Sequence, residues 1–206
     1  MSPFPPDFFT RADDGPDNAF YEYDRFVTHI DDRAIATVGA LYEHLGIEGR
    51  VLDLMSSWIS HFRATPRELV ALGMNEHELA ANTAATSYVV HDLNTTPALP
   101  FDDARFDAVT CCVSVDYLVQ PIAVFAEARR VLVPGGLMVC TFSNRCFPTK
   151  AIRGWLANND KGRCTIVSEY FHQAGGWTEP TIALCTPPNT AGDPLYGVWA
   201  TTTSPE

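Results

Sequence analysis

The sequence predicts an α/β fold: a mostly parallel, seven-stranded sheet with helices on both faces and an antiparallel hairpin at its C-terminal end. Three observations predict it. From residue 51 onward, short apolar runs alternate with stretches of helical periodicity, the pattern of a parallel sheet covered on both faces. The last two strand-like runs, 181–186 and 196–202, are joined by 187–194, which holds three prolines and one glycine. No helical crossover fits that link, so those two strands pair antiparallel. The chain has 206 residues, 46% hydrophobic and 19% charged, which suits one domain with a sizeable core.

The elements follow in order. Residues 1–18 carry four prolines and little periodicity, so they read as an arm. Residues 20–26 are dense in aromatics. Asp31 and Asp32 offer N-caps to a helix whose apolar face is Ile35, Val38, Leu41, Tyr42 and Leu45, with Gly46 as its stop. Residues 1–46 thus form an arm and cap helix, and 47–206 the main α/β unit of a single structural domain. Strands are expected at 51–55, 68–74, 88–91, 106–115 and 137–142. A short helix fits 76–82, and a longer one fits 122–132, ended by Gly135-Gly136. Two more helices are expected at 149–158 and 168–174, the latter stopped by Gly175-Gly176, before the closing hairpin.

The formal net charge is −11. A field of that sign repels phosphate backbones and anionic membranes, and the tightest basic pair is Arg129-Arg130, so neither nucleic acid nor membrane is an expected partner. No apolar run reaches the length of a bilayer span. Residues 1–7 lack the basic and apolar regions of a secretory signal, and a cytoplasmic location is expected. The six cysteines form no C-x-x-C pair, and most sit in strand-like runs. They read as free thiols in a reducing compartment, with no metal site.

Three segments carry a family resemblance. They are Val51-Leu52-Asp53-Leu54, then Leu99-Pro100-Phe101-Asp102-Asp103 leading through Arg105 to Phe106-Asp107, and Ala128-Arg129-Arg130-Val131-Leu132-Val133-Pro134-Gly135-Gly136. In this order, with the terminal hairpin, the chain resembles the class I S-adenosylmethionine-dependent methyltransferases, with their Rossmann-like fold. That resemblance implies S-adenosylmethionine as cofactor, bound at the carboxyl ends of the strands where strand order reverses. It assigns Asp53 to organising the first loop and contacting the methionine end, with a turn-capping carboxylate as the alternative. Met74 and Asn75 fall where the family places a ribose-binding acid. Asn75 either accepts one hydroxyl or caps the next helix. Asp92 and Leu93 fall at the adenine, with an ordinary turn at His91-Asp92 as the alternative, and Cys111 where backbone groups hold the methionine end.

One segment departs from the family. Where a glycine-rich loop is usual, this chain has Met55-Ser56-Ser57-Trp58-Ile59, similar to a subgroup carrying Asp-Leu-Met-Ser-Ser-Trp there. Either the Ser56 and Ser57 hydroxyls and the backbone hold the cofactor carboxylate, or Met55, Trp58 and Ile59 fill the site, or Trp58 and Ile59 pack as core. The segment before Pro66 leaves room for only a short helix. The resemblance builds the acceptor pocket from the N-terminal segment and the turns after the fourth and fifth strands. Tyr21, Tyr23, Arg25, Arg145 and Trp155 are candidate acceptor contacts. His29, Asp116 and Tyr117 are candidates for positioning the acceptor or removing its proton, with His61 a further histidine beside the altered loop. The expected activity is methyl transfer to a small-molecule acceptor. The alternative is a methyltransferase-like module that has lost catalysis and serves as a binding partner.

Overall fold

In a computed structural model, the described residues are 3–188 and 191–203. Asn189 and Thr190, within the expected hairpin link, lie outside them. The strands are β1 (Arg50–Leu54), β2 (Glu68–Gly73), β3 (Ser87–Val90), β4 (Phe106–Cys112), β5 (Leu132–Phe142), β6 (Thr181–Leu184) and β7 (Tyr196–Thr201). They form one seven-stranded sheet in the order β3-β2-β1-β4-β5-β7-β6. The first five run parallel. β7 lies antiparallel between β5 and β6, so the expected closing hairpin is present. Strand order reverses between β1 and β4, and that opens a crevice at their carboxyl ends.

The helices are α1 (Asp17–Phe20), α2 (Asp32–His44), α3 (Glu76–Ala80), α4 (Pro121–Val131), α5 (Arg153–Leu156) and α6 (Asp160–Ala174). Two cores form because strand side chains alternate between the faces. Leu52, Leu54, Val109, Cys111, Met138 and Cys140 pack under α4 and α6. Val51, Ala108 and Val139 pack on the opposite face with Ala34, Val38, Leu41 and Tyr42 of α2. The polar residues Asp53, Thr110 and Thr141 belong to that second face by the same period. α2 starts as expected: Asp31 accepts from Ala34 N–H at 2.8 Å, and Gly46 ends it at φ +68°.

Several boundaries differ from expectation, each for a local reason. Residues 55–67 cross from β1 to β2 with no helix at all. Backbone pairing continues instead, with Ser56 N–H donating to the Leu72 carbonyl at 2.8 Å. β4 stops at Cys112 because Val113 adopts φ +48°, and Val115–Tyr117 then form a short 3-10 turn. Gly135-Gly136 does not cap α4. The chain passes from Val131 directly into β5, and the diglycine lies in an irregularity of that strand, where Phe106 pairs with Leu132 but Ala108 with Leu137. The helix expected at 149–158 shrinks to α5. The next one begins earlier than expected, because Asn159 caps it by accepting from Gly162 N–H at 3.0 Å. All six cysteines are free. Among the described residues no helix is long and apolar enough to cross a membrane.

The N-terminal arm is tied down by ions. Arg11 Nη1 donates to both Asp17 oxygens at 2.8 Å. Lys150, only 1% exposed, stands 3.1 Å from both Asp13 and Asp17. Burial raises the Asp17 pKa, but hydrogen bonds from Arg11, Asn94 and Lys150 outweigh it and hold the carboxyl below its ordinary range. This knot fixes the arm over the carboxyl ends of the strands.

Candidate active site

A cleft of about 1250 Å³, counting the open space at its mouth, lies at the carboxyl ends of β1, β2, β3 and β4. Its floor is the end of β1. Asp53 is 4% exposed, and a carboxylate so buried needs partners. It has three: Thr110 donates to Oδ1 at 2.6 Å, and Ser56 and Ser60 both donate to Oδ2 at 2.7 Å. Asp53 therefore organises the loop that follows it. Met55 then takes φ +53°, the left-handed conformation that glycine adopts freely. A non-glycine residue thus holds a turn of the kind glycine usually makes. Gly73 admits the loop: a Cβ there would stand 2.2 Å from the Ser56 carbonyl oxygen.

Two sides of the loop are held by neighbours. Ser57 donates to buried Glu78 of α3, whose other oxygen accepts from Arg25 N–H at 2.6 Å. Trp58 Nε1 donates to the Val27 carbonyl at 3.2 Å. Trp58 and Ile59 are half-buried and line the cleft instead of filling the core. Asn75 Oδ1 caps α3 through Glu78 N–H at 3.0 Å, while Nδ2 donates to Tyr21 O and to Asp24. Asp92 closes the turn after β3, accepting from Asn94 N–H at 2.9 Å and from the Thr95 hydroxyl.

The cleft brings together twelve of the residues singled out from the sequence. Tyr21, Arg25, His29, Asp53, Met55 and Ser56 line it, as do Ser57, Met74, Asn75, Asp92, Leu93 and Tyr117. Five others stand outside its lining. Cys111 points into the core under α4. Tyr23 is 74% exposed. Arg145 turns away to pair with Asp193 at 2.7 Å. Trp155 is buried against Phe142, ring centroids 4.9 Å apart. Asp116 is 2% exposed but faces inward from the 3-10 turn, where burial pushes its pKa up to about 7.

The side of the cleft next to Phe147 is aromatic. His29 meets the edge of Phe147 at 5.1 Å, and Tyr117 lies 5.9 Å from the same ring. Tyr117 Oη accepts from Phe147 N–H at 2.8 Å. Burial raises the Tyr21 and Tyr117 phenols well above their ordinary value, so both remain protonated. Burial lowers the His29 pKa, partly offset by Glu78, so its imidazole is neutral at pH 7.

Sequence reasoning missed Asp17, Tyr42, Glu78, Asn94 and Phe147. Glu78 had a signal: it follows Asn75 at capping-box spacing, but its side chain reaches Ser57 and Arg25. Asn94 had none, being a loop residue that bonds Asp17 at 2.8 Å and the Tyr117 carbonyl at 2.9 Å. Among the described residues no group of His, Cys, Asp and Glu is arranged to hold a metal.

Residues 48–140 match a family model described as a methyltransferase domain. A 74-residue stretch is 34% identical to the mitochondrial 2-methoxy-6-polyprenyl-1,4-benzoquinol methylase of Rattus norvegicus, covering 36% of this chain. The match spans about a fifth of that relative's length, 22%. Among solved structures, the 1,6-didemethyltoxoflavin-N1-methyltransferase of Burkholderia thailandensis, with bound 1,6-didemethyltoxoflavin and S-adenosylhomocysteine, aligns with a TM-score of 0.62. The identity is 18%, over 84% of this chain and 80% of that one. An S-adenosylmethionine-dependent methyltransferase of Mesorhizobium loti aligns with a TM-score of 0.55 at 18% identity, over 81% of this chain and 97% of its own.

Proposed function

We propose, from a chain that has the class I methyltransferase fold and a methyltransferase-domain sequence over residues 48–140, that it transfers a methyl group from S-adenosylmethionine to a small-molecule acceptor. The observation that carries this reading is the left-handed turn at Met55, set beside Gly73 at the strand-order reversal. The cleft keeps the shape of a cofactor site after losing the glycines that usually make it. S-adenosylmethionine is the cofactor that goes with the domain, and the Burkholderia neighbour has its demethylated product bound. When bound, it supplies an electrophilic methyl group on a sulfonium. Asp53 would hold the methionine end, Asn75 and Glu78 would lie on the ribose side, and Asp92 and Leu93 on the adenine side.

The chain's own residues do the rest. Tyr21, Tyr117 and Phe147 wall the acceptor side and orient a flat molecule, which suits in-line displacement. The arm, knotted through Asp17 and Lys150, closes the cleft against water. His29, neutral and at the mouth, accepts a proton from an acceptor that must lose one. Asp17, Asp53, Glu78 and Asp92 make the lining acidic, which favours a cationic cofactor and disfavours an anionic acceptor.

Calorimetric titration with S-adenosylhomocysteine tests the reading. Binding is expected, and Asp53→Ala should weaken it at least about tenfold, because Ser56 and Ser60 lose the acceptor that shapes the loop. Absence of heat and of thermal shift with both S-adenosylmethionine and S-adenosylhomocysteine would sink the proposal and favour a non-catalytic binding module. For an acceptor that must be deprotonated, the acid limb of kcat/KM should lie below pH 6.5, since activity needs neutral His29. A profile unchanged in His29→Ala would remove that role.

A further inference from the structure

The side of the cleft facing α2 contains polar atoms that nothing in the protein satisfies. Tyr42 is 2% exposed, and its hydroxyl makes no hydrogen bond; nor does His61 Nδ1, an atom equally shut off from solvent. Both residues line the cleft. Thr141 and Cys112 lie near the Tyr42 hydroxyl, but neither forms a hydrogen bond of acceptable geometry with it. An unsatisfied buried polar atom is costly, and such atoms in native proteins mark a missing partner.

Chemistry narrows that partner. The two serines of the rewritten loop cannot serve an anion there. Each hydroxyl has one proton, and Ser56 gives its own to Asp53 while Ser57 gives its own to Glu78. Tyr42 and His61 line the cleft with donors to spare, a phenol O–H and, in one tautomer, an imidazole N–H; the equally unpartnered Thr141 hydroxyl lies behind Tyr42 and is not part of the cleft lining. The charge of Asp53 is felt by both. Its Oδ1 accepts from Thr110 alone and has room for a second donor. A donor pair beside a carboxylate with a free lone pair suits an anion and a cation on adjacent atoms, which is an α-amino acid.

We propose that Tyr42 and His61 clamp the carboxylate of the cofactor's amino-acid end while Asp53 Oδ1 takes its ammonium, the two side chains standing in for the missing glycine loop. This rests on the methyltransferase reading. The titratable groups around this corner are Asp53 of β1, Tyr42 of α2, and Cys111 and Cys112 of β4. Without ligand, burial keeps His61 below its ordinary pKa despite Asp53, so it is neutral at pH 7. A carboxylate set against it raises its pKa, and the protein takes up part of a proton on binding.

The test compares S-adenosylhomocysteine with 5′-methylthioadenosine, which lacks the amino-acid end. Tyr42→Phe and His61→Gln should each weaken S-adenosylhomocysteine about tenfold or more and leave methylthioadenosine within about twofold, so the latter also reports that the variants are folded. A second measurement needs no variant. At pH 7, enthalpies in buffers of different ionisation heat should show proton uptake with S-adenosylhomocysteine and none with methylthioadenosine. Unchanged S-adenosylhomocysteine affinity in both variants, equal loss for both ligands, or no proton uptake would overturn the clamp. A wild-type protein that binds neither ligand would overturn the methyltransferase reading, and the clamp with it.

Discussion

Asp116 shows what a single buried carboxyl does. Its backbone carbonyl accepts from Ile152 N–H at 3.0 Å, but its Oδ2 has no partner. Burial dominates, and Arg163 offsets it only in part, so the pKa rises to about 7. Between its unfolded value near 4 and pH 7, the folded chain therefore holds a proton that the unfolded chain has released. Stability from this group is greatest at low pH and is lost as pH rises through 7. Asp116→Asn should remove the dependence. Urea denaturation is expected to find the variant more stable at pH 8 by up to about 4 kcal/mol, at roughly 1.4 kcal/mol per pKa unit, with the gap closing towards pH 4. A gap that stays constant with pH would contradict the assignment. Asp116 also shows a limit of sequence reading. Its position after β4 is visible in the chain, but the direction of its side chain depends on the positive φ of Val113 three residues earlier, which no valine advertises. Tyr42 shows the same limit from the other side. Helical periodicity places it on the core face of α2, as observed, and cannot tell that its hydroxyl emerges at a cleft.

At the scale of elements, the arm and the turn after β5 are held together by Lys150. Its ammonium is nearly without solvent contact and bonds Gly15 O at 2.9 Å as well as the two carboxylates. Breaking a buried pair from one side leaves charge uncompensated. Lys150→Met should destabilise the protein by about 3 kcal/mol, a fall in Tm of roughly 6–12 °C for a chain of this size; a melt within about 1 °C of wild type would show that the knot is not structural. The sequence announces Asp17 and Lys150 only as charges in an arm and a loop, because they lie far apart along the chain. The strands, by contrast, were legible: each short apolar run is a strand. The helices were legible where a cap marks them, as at Asp31, and misjudged where tertiary contacts set the ends. Gly135-Gly136 is the instructive case. Read as a helix stop, it serves a strand irregularity, because pairing with β4 begins at Leu132.

At the scale of the molecule, the order of strands and helices carried the architecture, and three short motifs carried its family likeness. The site was legible wherever it follows the strand ends, since parallel sheets gather those ends at one edge. It was not legible where the arm, α2 and α3 fold over them. Because the cleft is assembled from all these pieces, ligand binding should stabilise the whole chain. At one hundred times its dissociation constant, S-adenosylhomocysteine should add about 2.7 kcal/mol and raise Tm by roughly 5–10 °C. A shift seen with adenosine alone at matched saturation, and equal in size, would leave that expectation intact at the same fractional occupancy. A saturated complex with no shift would mean that the unfolded chain binds as well, which is incompatible with a cleft built by folding.

The placement of β7 between β5 and β6 also bears on how the chain is made. A ribosome releases β6 before β7, so for a time β6 has no neighbour to pair with, and its outward side chains Ile182 and Leu184, still 47% and 45% exposed in the finished fold, have even less cover. The five parallel strands can assemble as they emerge, but β5 must keep an open edge until β7 arrives and seats both itself and β6. The β5 and β6 edges can therefore close only once Tyr196–Thr201 has been made.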